Sequence, residues 1–472
     1  MTSAPAQLPP VMAGGPGNAS YDENSARQGD AFSELGGPIL KHALGHWLQL
    51  RRELKAESSQ QTVCIADLGS ATGKNAVAQM ELIMHWLALG SANEPQDEGS
   101  NFLCTSERLQ GGRAEKLDGD AKSVEEESQI PEIPKIPENS GQEEPEASAK
   151  TAEQREVNQS GRSTDASLLK NIGTSALQTS EMKASRGDSH FDPQMVLAFF
   201  SDLPDNDWAT LMGHIHTASK RPESGGITGL PCRVAAVPGS FYERLFPDAF
   251  LDVATTSFSL QWLSRLPPEA EAPGWNPGRI WCYRDAPLHV AEAYRRQRES
   301  DLRQFLEHRA AELRPGGLLW VFMPSWDDTT EGCRSDTLVR VLEDAWRELT
   351  EEGALESHVI DCFNVPAYYP TVPGVWQAVN ESEAFDIHAL QYVRSKRGAD
   401  ADQLAGGSEQ GPRRSSPPTA NQVWAAFQPQ VCCHMGTERA NRLYERICDN
   451  LAQEPGRYPG GMTVLCAALF RK

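Results

Sequence analysis

Hydrophobic residues follow two alternating patterns along the chain, helical spacing and short continuous runs. Between residues 31 and 54 the apolar side chains recur at the spacing of one helix face, which predicts a long amphipathic helix. The run "TVCIADLG" (62–69) predicts a buried strand, and residues 75–89 again have helical spacing. A strand, a glycine turn and a helix in this order form the first unit of a doubly wound α/β sheet.

The same alternation continues in the second half of the chain. Residues 193–204 predict another strand, and the runs "RVAAVPGSF" (233–241) and "LDVATTSFSLQWLSRLP" (251–267) extend the sheet. The later elements predicted are a helix at 288–313, a strand at 318–324, a helix at 337–352, a proline-rich aromatic loop at 362–379, a helix at 438–451 and a terminal strand at 461–472.

Composition marks where this pattern is interrupted. Residues 91–190 are rich in Glu, Ser, Gln and Pro and nearly lack aromatics, so they cannot bury enough apolar surface to offset their ordering entropy. We expect a disordered acidic insertion there, and a tolerated insertion is favoured over an acidic interaction tail. The expected organisation is an N-terminal segment and the start of the core at 1–90, the insertion at 91–190, the core again at 191–330, a helical cap region at 331–436 with a flexible linker at 396–420, and a return to the core at 437–472.

Length and charge narrow the classes of protein. The chain has 472 residues, 39% of them hydrophobic, which is enough for a substantial core. Its formal net charge of -21 leaves no broad basic surface, so we expect no nucleic-acid partner. No run of about 18 apolar residues and no targeting pattern occurs, which predicts a cytoplasmic protein without a membrane partner.

The ten cysteines contain no CxxC pair, which favours reduced thiols over a zinc site or a disulfide framework. A metal site at "CCHM" (432–435) is disfavoured, because adjacent cysteines chelate poorly and no partner pair exists.

The glycine turn in "CIADLGSATGKNA" (64–76) resembles a phosphate-binding loop only superficially. A P-loop needs GxxxxGK followed by Ser or Thr, whereas three residues separate Gly69 from Gly73 and Lys74 is followed by Asn75. The dinucleotide pattern GxGxxG is absent as well. With both patterns excluded, the motif is an acidic residue at a strand end followed by a turn of small residues. Such a turn accommodates an adenosine-like ligand that carries no phosphate.

A second acidic strand end supports that interpretation. Asp202 closes the run "FFSD" (199–202), and an acid at this place can accept hydrogen bonds from both ribose hydroxyls. The alternative is that Asp202 caps the helix that follows in "DLPDNDW" (202–208). Together with Asp67, Gly69 and Gly73, it points to an S-adenosylmethionine site.

Six blocks in this order resemble the SABATH carboxyl methyltransferases of plants. They are "MAGGPGNASYDENSARQ" (12–28), "ADLGSATGKN" (66–75), "SDLPDNDW" (201–208), "VPGSFYERLFP" (237–247), "TTSFSLQWLSRLP" (255–267) and "FNVPAYYP" (363–370). The resemblance implies an α/β fold with a Rossmann-like, seven-stranded methyltransferase sheet, a helical cap over the acceptor site, and a homodimer.

The resemblance also implies roles for individual residues. Gln28 and Trp262 match residues that hold the acceptor carboxylate, and Gln261 could contact a second acceptor substituent, although surface exposure is equally open. Met323, Val339, Val423 and Met462 fall where pocket walls or core packing are expected. The positions that would line the cofactor are Tyr21, Ser25, Asp67, Ser70, Asn75, Asp202 and Leu203, with Ser240 and Phe241 flanking the adenine; as an alternative, "PGSF" (238–241) is a tight turn that only packs into the core.

Some positions depart from the family pattern. Ala13 stands where the family has lysine, and "TTSF" (255–258) replaces a His-Ser-Ser-Tyr block. These changes remove an ammonium and a phenolic hydroxyl near the acceptor, so no particular acid, salicylate included, is implied.

An optional structural Mg²⁺ near the cap is a further implication of the resemblance. Its ligands would be Asn276, Asp361, the carbonyl of Phe363 and Asn364, all hard oxygen donors. A capped loop would need the same residues, so both interpretations stay open.

The expected reaction is methyl transfer from S-adenosylmethionine to the carboxylate of a small, aromatic or hormone-like acid. A carboxylic acid with a pKa of about 4 is already ionised at neutral pH, so it needs no general base and catalysis is mainly positioning. The alternatives are N-methylation of a heterocycle such as a xanthine, and a non-catalytic small-molecule binder that retains the fold.

Overall fold

The computed structural model describes residues 12, 17–53, 62–90, 195–220, 231–282, 286–327, 336–394, 418–454, 456–458 and 461–472. The chain divides into two units, one made of Met1–Thr105 with Gly173–Lys472 and the other of Ser106–Ile172, and every described residue belongs to the first. The predicted insertion at 91–190 lies outside the described residues, as does nearly all of the predicted linker at 396–420.

Seven strands form one mixed sheet, which confirms the predicted α/β class. The spatial order is β3-β2-β1-β4-β5-β7-β6, with β1 to β5 parallel and β7 antiparallel to both of its neighbours. The strands are β1 (Thr62–Leu68), β2 (Met195–Asp202), β3 (Cys232–Pro238), β4 (Leu251–Ser257), β5 (Leu313–Pro324), β6 (Phe385–Arg394) and β7 (Thr463–Arg471).

Helices cover the sheet and extend beyond it. The described α-helices are α1 (Tyr21–Asn24), α2 (Ala26–Ala31), α3 (Gly37–Glu53), α4 (Lys74–Gly90), α5 (Trp208–Ser219), α6 (Leu288–Glu312), α7 (Thr337–Glu351), α8 (Ser357–Asp361), α9 (Val372–Ser382), α10 (Ala420–Met435) and α11 (Thr437–Gln453). A π-helical turn, Phe32–Gly36, joins α2 to α3. The helix predicted at 31–54 therefore starts earlier, at Ala26, and changes its hydrogen-bond pitch at Phe32.

Two apolar cores hold these elements. The first lies between the sheet and the helices α3 and α4, and it includes Trp47 and Phe200. Every residue of β1 is buried, as expected for a central parallel strand covered on both faces. The second core joins α7, α10 and α11 to the loops around Trp281 and Phe363, and it forms the cap.

Two predictions in the C-terminal part were wrong. The loop predicted at 362–379 contains α9, whose first turn is stabilised because the Thr371 side chain accepts a hydrogen bond from the Gly374 amide. The range 331–436, expected to be a helical cap, also contains β6, an edge strand of the sheet. Most residues of β6 are only partly buried, so its sequence lacks the continuous apolar run that marked the central strands.

The helices of the described ranges include none that is both long and apolar enough to span a lipid bilayer.

Candidate active site

The carboxyl ends of β1, β2, β3 and β4 meet at one edge of the sheet. The chain moves from β1 to β2 and β3 on one side and then returns to β4 on the other, so the strand order reverses between β1 and β4. A crevice opens at such a reversal because the two adjoining crossovers leave in opposite directions. Most of the residues predicted to hold the cofactor lie at or just after these strand ends, whereas Tyr21 and Ser25 come from the N-terminal helices.

Asp67 lies in β1, one residue before the strand ends, and is 4% exposed. Parallel pairing places Thr255 of β4 beside it, and the Thr255 hydroxyl donates to Oδ1 at 3.0 Å, while the Ser70 hydroxyl donates to Oδ2 at 2.8 Å. Burial raises the pKa of Asp67 to about 6, although these two hydrogen bonds oppose the shift.

The glycine turn is fastened to the end of β2. The amides of Gly69 and Ser70 donate to the Ser201 carbonyl at 2.8 and 3.0 Å. Gly69 has φ +84°, and a Cβ there would lie 2.3 Å from the Cβ of Ser259. Only glycine permits both this conformation and this approach of the backbone.

Asp202 at the end of β2 organises the same turn. Its Oδ2 accepts from the Ala71 amide at 2.6 Å and its Oδ1 from the Leu203 amide at 2.7 Å. The capping alternative is wrong, because Asp207 caps α5 by accepting from the Thr210 amide. The carboxylate of Asp202 instead faces a hollow at the strand ends.

The "PGSF" turn follows β3 and lies against Asp202. The Gly239 amide donates to the Asp202 carbonyl at 2.8 Å. Ser240, Phe241 and Tyr242 line the same hollow as Asp202, and Tyr242 is also buried in the core at 4% exposure. The turn therefore both packs into the core and contributes to the hollow.

The N-terminal helices α1 and α2 close over the glycine turn. Asn75 donates from Nδ2 to the Ser25 carbonyl at 3.1 Å, and Lys74 donates from Nζ to the Asp22 carbonyl at 2.8 Å. The imidazole of His214 lies 2.7 Å from the Asp22 carboxylate. The sequence did not indicate the contacts of Asp22 with Lys74 and His214, because only the fold brings these distant segments together.

Three hollows adjoin one another in this crevice, and we name them by position. The turn hollow includes Tyr21, Gln28, Asp67, Gly69, Ser70, Asn75 and Phe258. The strand hollow includes Met12, Tyr21, Ala71, Asp202, Leu203, Ser240, Phe241, Phe258 and Trp262. The cap hollow includes Met12, Tyr21, Arg27, Gln28, Phe258, Gln261, Trp262, Thr337, Leu338, Val339, Ala367, Tyr369, Phe427 and Met462.

The structure thus gathers most of the predicted cofactor residues into the first two hollows. Tyr21 and Phe258 line all three, which makes the hollows continuous. Ser25 does not line them, although its hydroxyl is buried and has no hydrogen-bond partner among the described residues. The close backbone at Gly69 and the acceptors Asp67 and Asp202 fit an adenosine-like ligand with an amino-acid tail.

The cap hollow contains polar groups that the protein leaves unsatisfied. Gln28 makes no side-chain hydrogen bond to a described residue, and its Oε1 is buried. The Trp262 indole N–H likewise has no acceptor in the described part of the chain, whereas the Trp262 carbonyl accepts from the Tyr242 hydroxyl. Gln261 is 7% exposed, so the alternative of surface exposure is wrong; its Nε2 donates to the Phe258 carbonyl and its Oε1 is unpaired.

The predicted wall residues separate into two groups. Val339 and Met462 line the cap hollow. Met323 and Val423 are completely buried, and neither lines a hollow described above. Met323 instead lies against the guanidinium of Arg298, so core packing explains both residues.

Sequence reasoning missed several residues of the cap hollow. Arg27, Tyr369 and Phe427 come from three distant segments and meet only in the fold. Arg27 stands directly before Gln28, and its charge within a block that lines the cofactor was a signal that could have identified it.

The four predicted magnesium ligands lie together in the cap. Asn276 donates from Nδ2 to Oδ1 of Asn364 at 3.0 Å, and Asp361 accepts from the Gly278 amide at 2.7 Å. Oδ1 of Asn276 is buried without a partner, and one carboxylate with two carboxamide oxygens suits a hard cation. The described residues contain no cluster of three His, Cys, Asp or Glu side chains that could hold a metal, so any ion here would depend on amide and carbonyl oxygens.

Comparison with known proteins agrees with this geometry. The family model for "SAM dependent carboxyl methyltransferase" matches residues 169–471. Indole-3-acetate O-methyltransferase 1 of Oryza sativa subsp. japonica is 34% identical over 287 residues, covering 57% of this chain and 69% of the relative. Gibberellic acid methyltransferase 1 of Arabidopsis thaliana is 31% identical over 281 residues, covering 57% of this chain and 72% of the relative.

A solved structure, described as loganic acid methyltransferase with SAH, superposes with a TM-score of 0.63 at 21% identity and covers 98% of both chains. It supports the fold. Because the family model matches more than half of the chain, the chain belongs to the S-adenosylmethionine-dependent carboxyl methyltransferases, the SABATH family, and it forms a methyl ester on a small carboxylic acid.

Proposed function

We propose that the acceptor acid binds in the cap hollow, with its reacting carboxylate between Gln28 and Trp262. The observation that carries this placement is that both side chains present unpaired polar groups at the junction with the other hollows. Gln28 also lines the turn hollow and Trp262 also lines the strand hollow, so both stand where the acceptor and the methyl donor meet.

The chemistry of the lining favours an acceptor that is already ionised. Among the described residues, the cap hollow is lined by no Asp, Glu, His or Lys side chain. Burial raises the pKa of Tyr21 far above neutrality, so its phenol is protonated and cannot act as a base. A carboxylate needs no base, which favours ester formation over N-methylation of a heterocycle that must first lose a proton.

The residues of the site would position the acceptor and exclude water. The Gln28 amide and the Trp262 indole N–H donate to the carboxylate without neutralising it. The aromatic groups of Phe258, Trp262 and Phe427 keep it weakly solvated in a largely apolar hollow. Bound S-adenosylmethionine supplies an electrophilic methyl group, and holding the acceptor oxygen at about 3 Å from it provides the gain from orientation.

We assign the cofactor to the other two hollows. Asp202 takes the ribose hydroxyls, and Ser240 and Phe241 flank the adenine, since all three line the strand hollow. Asp67, Ser70 and Asn75 hold the amino-acid tail, because they line the turn hollow beside Tyr21. Leu203 packs at the ribose end, and Ser25 supports Asn75 through its carbonyl.

The experiment that tests this function uses S-adenosylmethionine with a radiolabelled methyl group. The protein is incubated with aromatic acids, indole-acetic and diterpenoid acids, and xanthines, and the labelled product is treated with mild base. Release of the label as methanol identifies an ester. A base-stable label on a heterocycle contradicts the carboxyl assignment, and the absence of binding to S-adenosylhomocysteine in calorimetry contradicts the cofactor site.

A matched pair of variants tests the position of the acceptor. Trp262→Phe keeps an aromatic ring but removes the N–H, so we expect about a tenfold loss of kcat/KM, as for a lost hydrogen bond to a charged group. The exposed Trp376 on α9 is the control, because Trp376→Phe makes the same change far from the hollows. Equal losses of kcat/KM in both variants would contradict the role assigned to Trp262.

The Mg²⁺ site, the homodimer and the cytoplasmic location expected from the sequence are also part of this proposal. An optional Mg²⁺ that stabilises the cap would be held by Asn276, Asp361, Asn364 and the Phe363 carbonyl. Added Mg²⁺ should then raise the melting temperature of the wild type but not of Asp361→Ala.

We also propose a cytoplasmic homodimer without nucleic-acid or membrane partners, in keeping with the net charge of -21. Light scattering at several protein concentrations tests the dimer.

A further inference from the structure

Arg27 is a cation of the cap hollow that has no carboxylate partner among the described residues. Arg27 on α2 lines this hollow, and Nη2 donates to the Gly461 carbonyl at 2.6 Å. No carboxylate of the described residues forms an ion pair with Arg27, and its other guanidinium N–H groups make no hydrogen bond to those residues. A partly buried guanidinium left in this state is unusual, because desolvated charges are normally paired.

The surroundings of Arg27 do not supply the missing negative charge. Burial lowers the pKa of Arg27 below its ordinary value, and the neighbouring Tyr369 phenol opposes the shift only weakly. The guanidinium nevertheless stays charged at neutral pH. The neighbouring titratable group that affects this shift is the Tyr369 phenol, and no described carboxylate contributes to it.

The position of Arg27 separates it from the site of methyl transfer. Gln28 and Trp262 each line two hollows and mark the junction with the cofactor side. Arg27, Tyr369 and Met462 line only the cap hollow, and the Gly461 carbonyl anchors the guanidinium beside Met462 at the start of β7. Arg27 therefore lines the part of the crevice that the cap hollow does not share with the turn hollow or the strand hollow.

We propose that Arg27 binds a second acidic group and that the preferred acceptor is a dicarboxylic acid, of which one carboxylate is methylated. The inference rests on the acceptor placement proposed above. A planar guanidinium presents parallel N–H groups that match a carboxylate, which gives orientation as well as attraction.

The charges and atoms balance for this acceptor. One carboxylate oxygen forms a bond to the methyl carbon, the carbon–sulfur bond breaks, and its electron pair stays on sulfur, so one negative and one positive charge disappear. No proton is released. The second carboxylate remains ionised on Arg27, and the product is therefore the monomethyl ester with little diester.

The test compares acids that share a carbon skeleton. The pairs are octanoic with octanedioic acid and phenylacetic with 1,4-phenylenediacetic acid, each assayed with radiolabelled S-adenosylmethionine and each titrated into the complex with S-adenosylhomocysteine. We expect the wild type to favour the diacid of a pair by about 10- to 100-fold in kcat/KM, the range for hydrogen bonds between charged groups. A wild type that favours the monoacid overturns the inference without any variant.

Two variants of Arg27 locate the effect. Arg27→Met should lower kcat/KM for the diacid much more than for the monoacid and so abolish the preference, whereas Arg27→Lys should keep part of the preference. Arg442→Met is the control, because it removes an exposed guanidinium on α11 that pairs with Glu438. A preference that survives in Arg27→Met overturns the inference.

Two other outcomes contradict it in different ways. If Arg27→Met slows monoacids and diacids equally while the complex with S-adenosylhomocysteine is unaffected, Arg27 holds the reacting carboxylate and no second acid is selected. If no acid is esterified by wild type or variants and a heterocycle receives a base-stable methyl group, the proposed acceptor chemistry itself fails and the inference falls with it.

Discussion

The phenolic hydroxyl of Tyr242 donates a 2.6 Å hydrogen bond to the backbone carbonyl of Trp262. This contact joins the segment that follows the "PGSF" turn, to which we assign the adenine, to the loop that carries the indole proposed to hold the acceptor. Burial raises the pKa of the Tyr242 phenol far above neutrality, so it is a donor at every working pH. The two halves of the site are therefore fixed to one another through a backbone atom, which no side-chain motif reveals.

Replacing Tyr242 by phenylalanine should loosen the acceptor loop. The buried Trp262 carbonyl would lose its donor, at a cost of about 1 kcal/mol. We expect about a fivefold fall in kcat with little change in affinity for S-adenosylhomocysteine, because the ring of Tyr242 still packs beside Phe241. Stopped assays and calorimetry measure the two quantities, and a loss confined to cofactor affinity would contradict the proposed coupling.

Asp202 and Asp207 provide a matched pair of aspartates five positions apart in the chain. Asp202 bonds to the amides of Ala71 and Leu203 in the strand hollow, whereas Asp207 caps α5. Asp202→Ala should abolish detectable binding of S-adenosylhomocysteine. Asp207→Ala should lower the free energy of unfolding by about 1 kcal/mol, the usual cost of a lost cap, with cofactor affinity intact.

Calorimetry and denaturant titration of both variants separate these roles. Should Asp207→Ala lose the cofactor while Asp202→Ala retains it, the assignment of the two carboxylates would be reversed.

The sequence predicted the parts of the fold that repeat a strong local pattern. The predicted helix at 288–313 ends within one residue of the observed α6, and the buried strands before the site were all recognised. β6 was missed because its side chains are mostly half-buried, and α9 because the prolines around it suggested a loop. The pattern of apolar residues shows which side of a single element is buried. Whether β6 and α9 form depends instead on the elements that pack against them.

The site shows the same division. Asp67, Asp202 and Ser240 lie at or near strand ends that parallel pairing brings to one edge, so their proximity could be inferred from order in the chain. The role of Asp202 could not be inferred, since "DLPDNDW" contains three aspartates for one helix cap and only the structure shows that the Asp207 side chain is the cap. The role of Arg27 could not be inferred either, because its guanidinium is held by the carbonyl of Gly461, which is 434 positions away in the chain.

Asp67 predicts how cofactor binding depends on pH. Its carboxyl has a pKa of about 6 because it is buried, so it becomes an ionised acceptor only as the pH rises through that value. We expect affinity for S-adenosylhomocysteine to weaken below pH 6, by up to about tenfold per pH unit, if the carboxylate binds the ligand's ammonium group. Calorimetry between pH 5 and 7.5 measures this.

Asp67→Asn is the control for that titration. The variant should bind weakly and without a step near pH 6; an unchanged step would assign it to another group. For the unliganded protein the pH effect has the opposite sign. The folded pKa of Asp67 exceeds its ordinary value of 3.8, so the stability contributed by protonated Asp67 is fully present below pH 3.8 and is lost as the pH rises through about 6.

Three histidines join the edge strand to α3 and predict a second pH effect. His388 of β6 stacks on His46 at 4.7 Å between ring centroids, and its Nε2 lies 3.2 Å from Nδ1 of His42. Burial, together with the neighbouring His46 and His42, lowers the pKa of His388 to about 4, and burial lowers that of His46 as well. His388 therefore binds a proton less readily in the folded protein than in the unfolded chain.

The direction of the pH effect follows from the pKa values of His388 in the folded and unfolded protein. The folded pKa of His388 lies below the unfolded value of 6.5, so its contribution to stability is complete above pH 6.5 and is lost as the pH falls towards 4. His388→Gln should flatten this part of the pH profile of the unfolding free energy. His216→Gln, which changes an exposed histidine of α5, should not. Denaturant titrations at pH 7.5 and 5 measure the difference for all three proteins, and because Asp67 contributes equally to each, its opposite effect cancels in the comparison. Parallel profiles for the wild type and His388→Gln would show that the stacked rings carry no proton-linked stability.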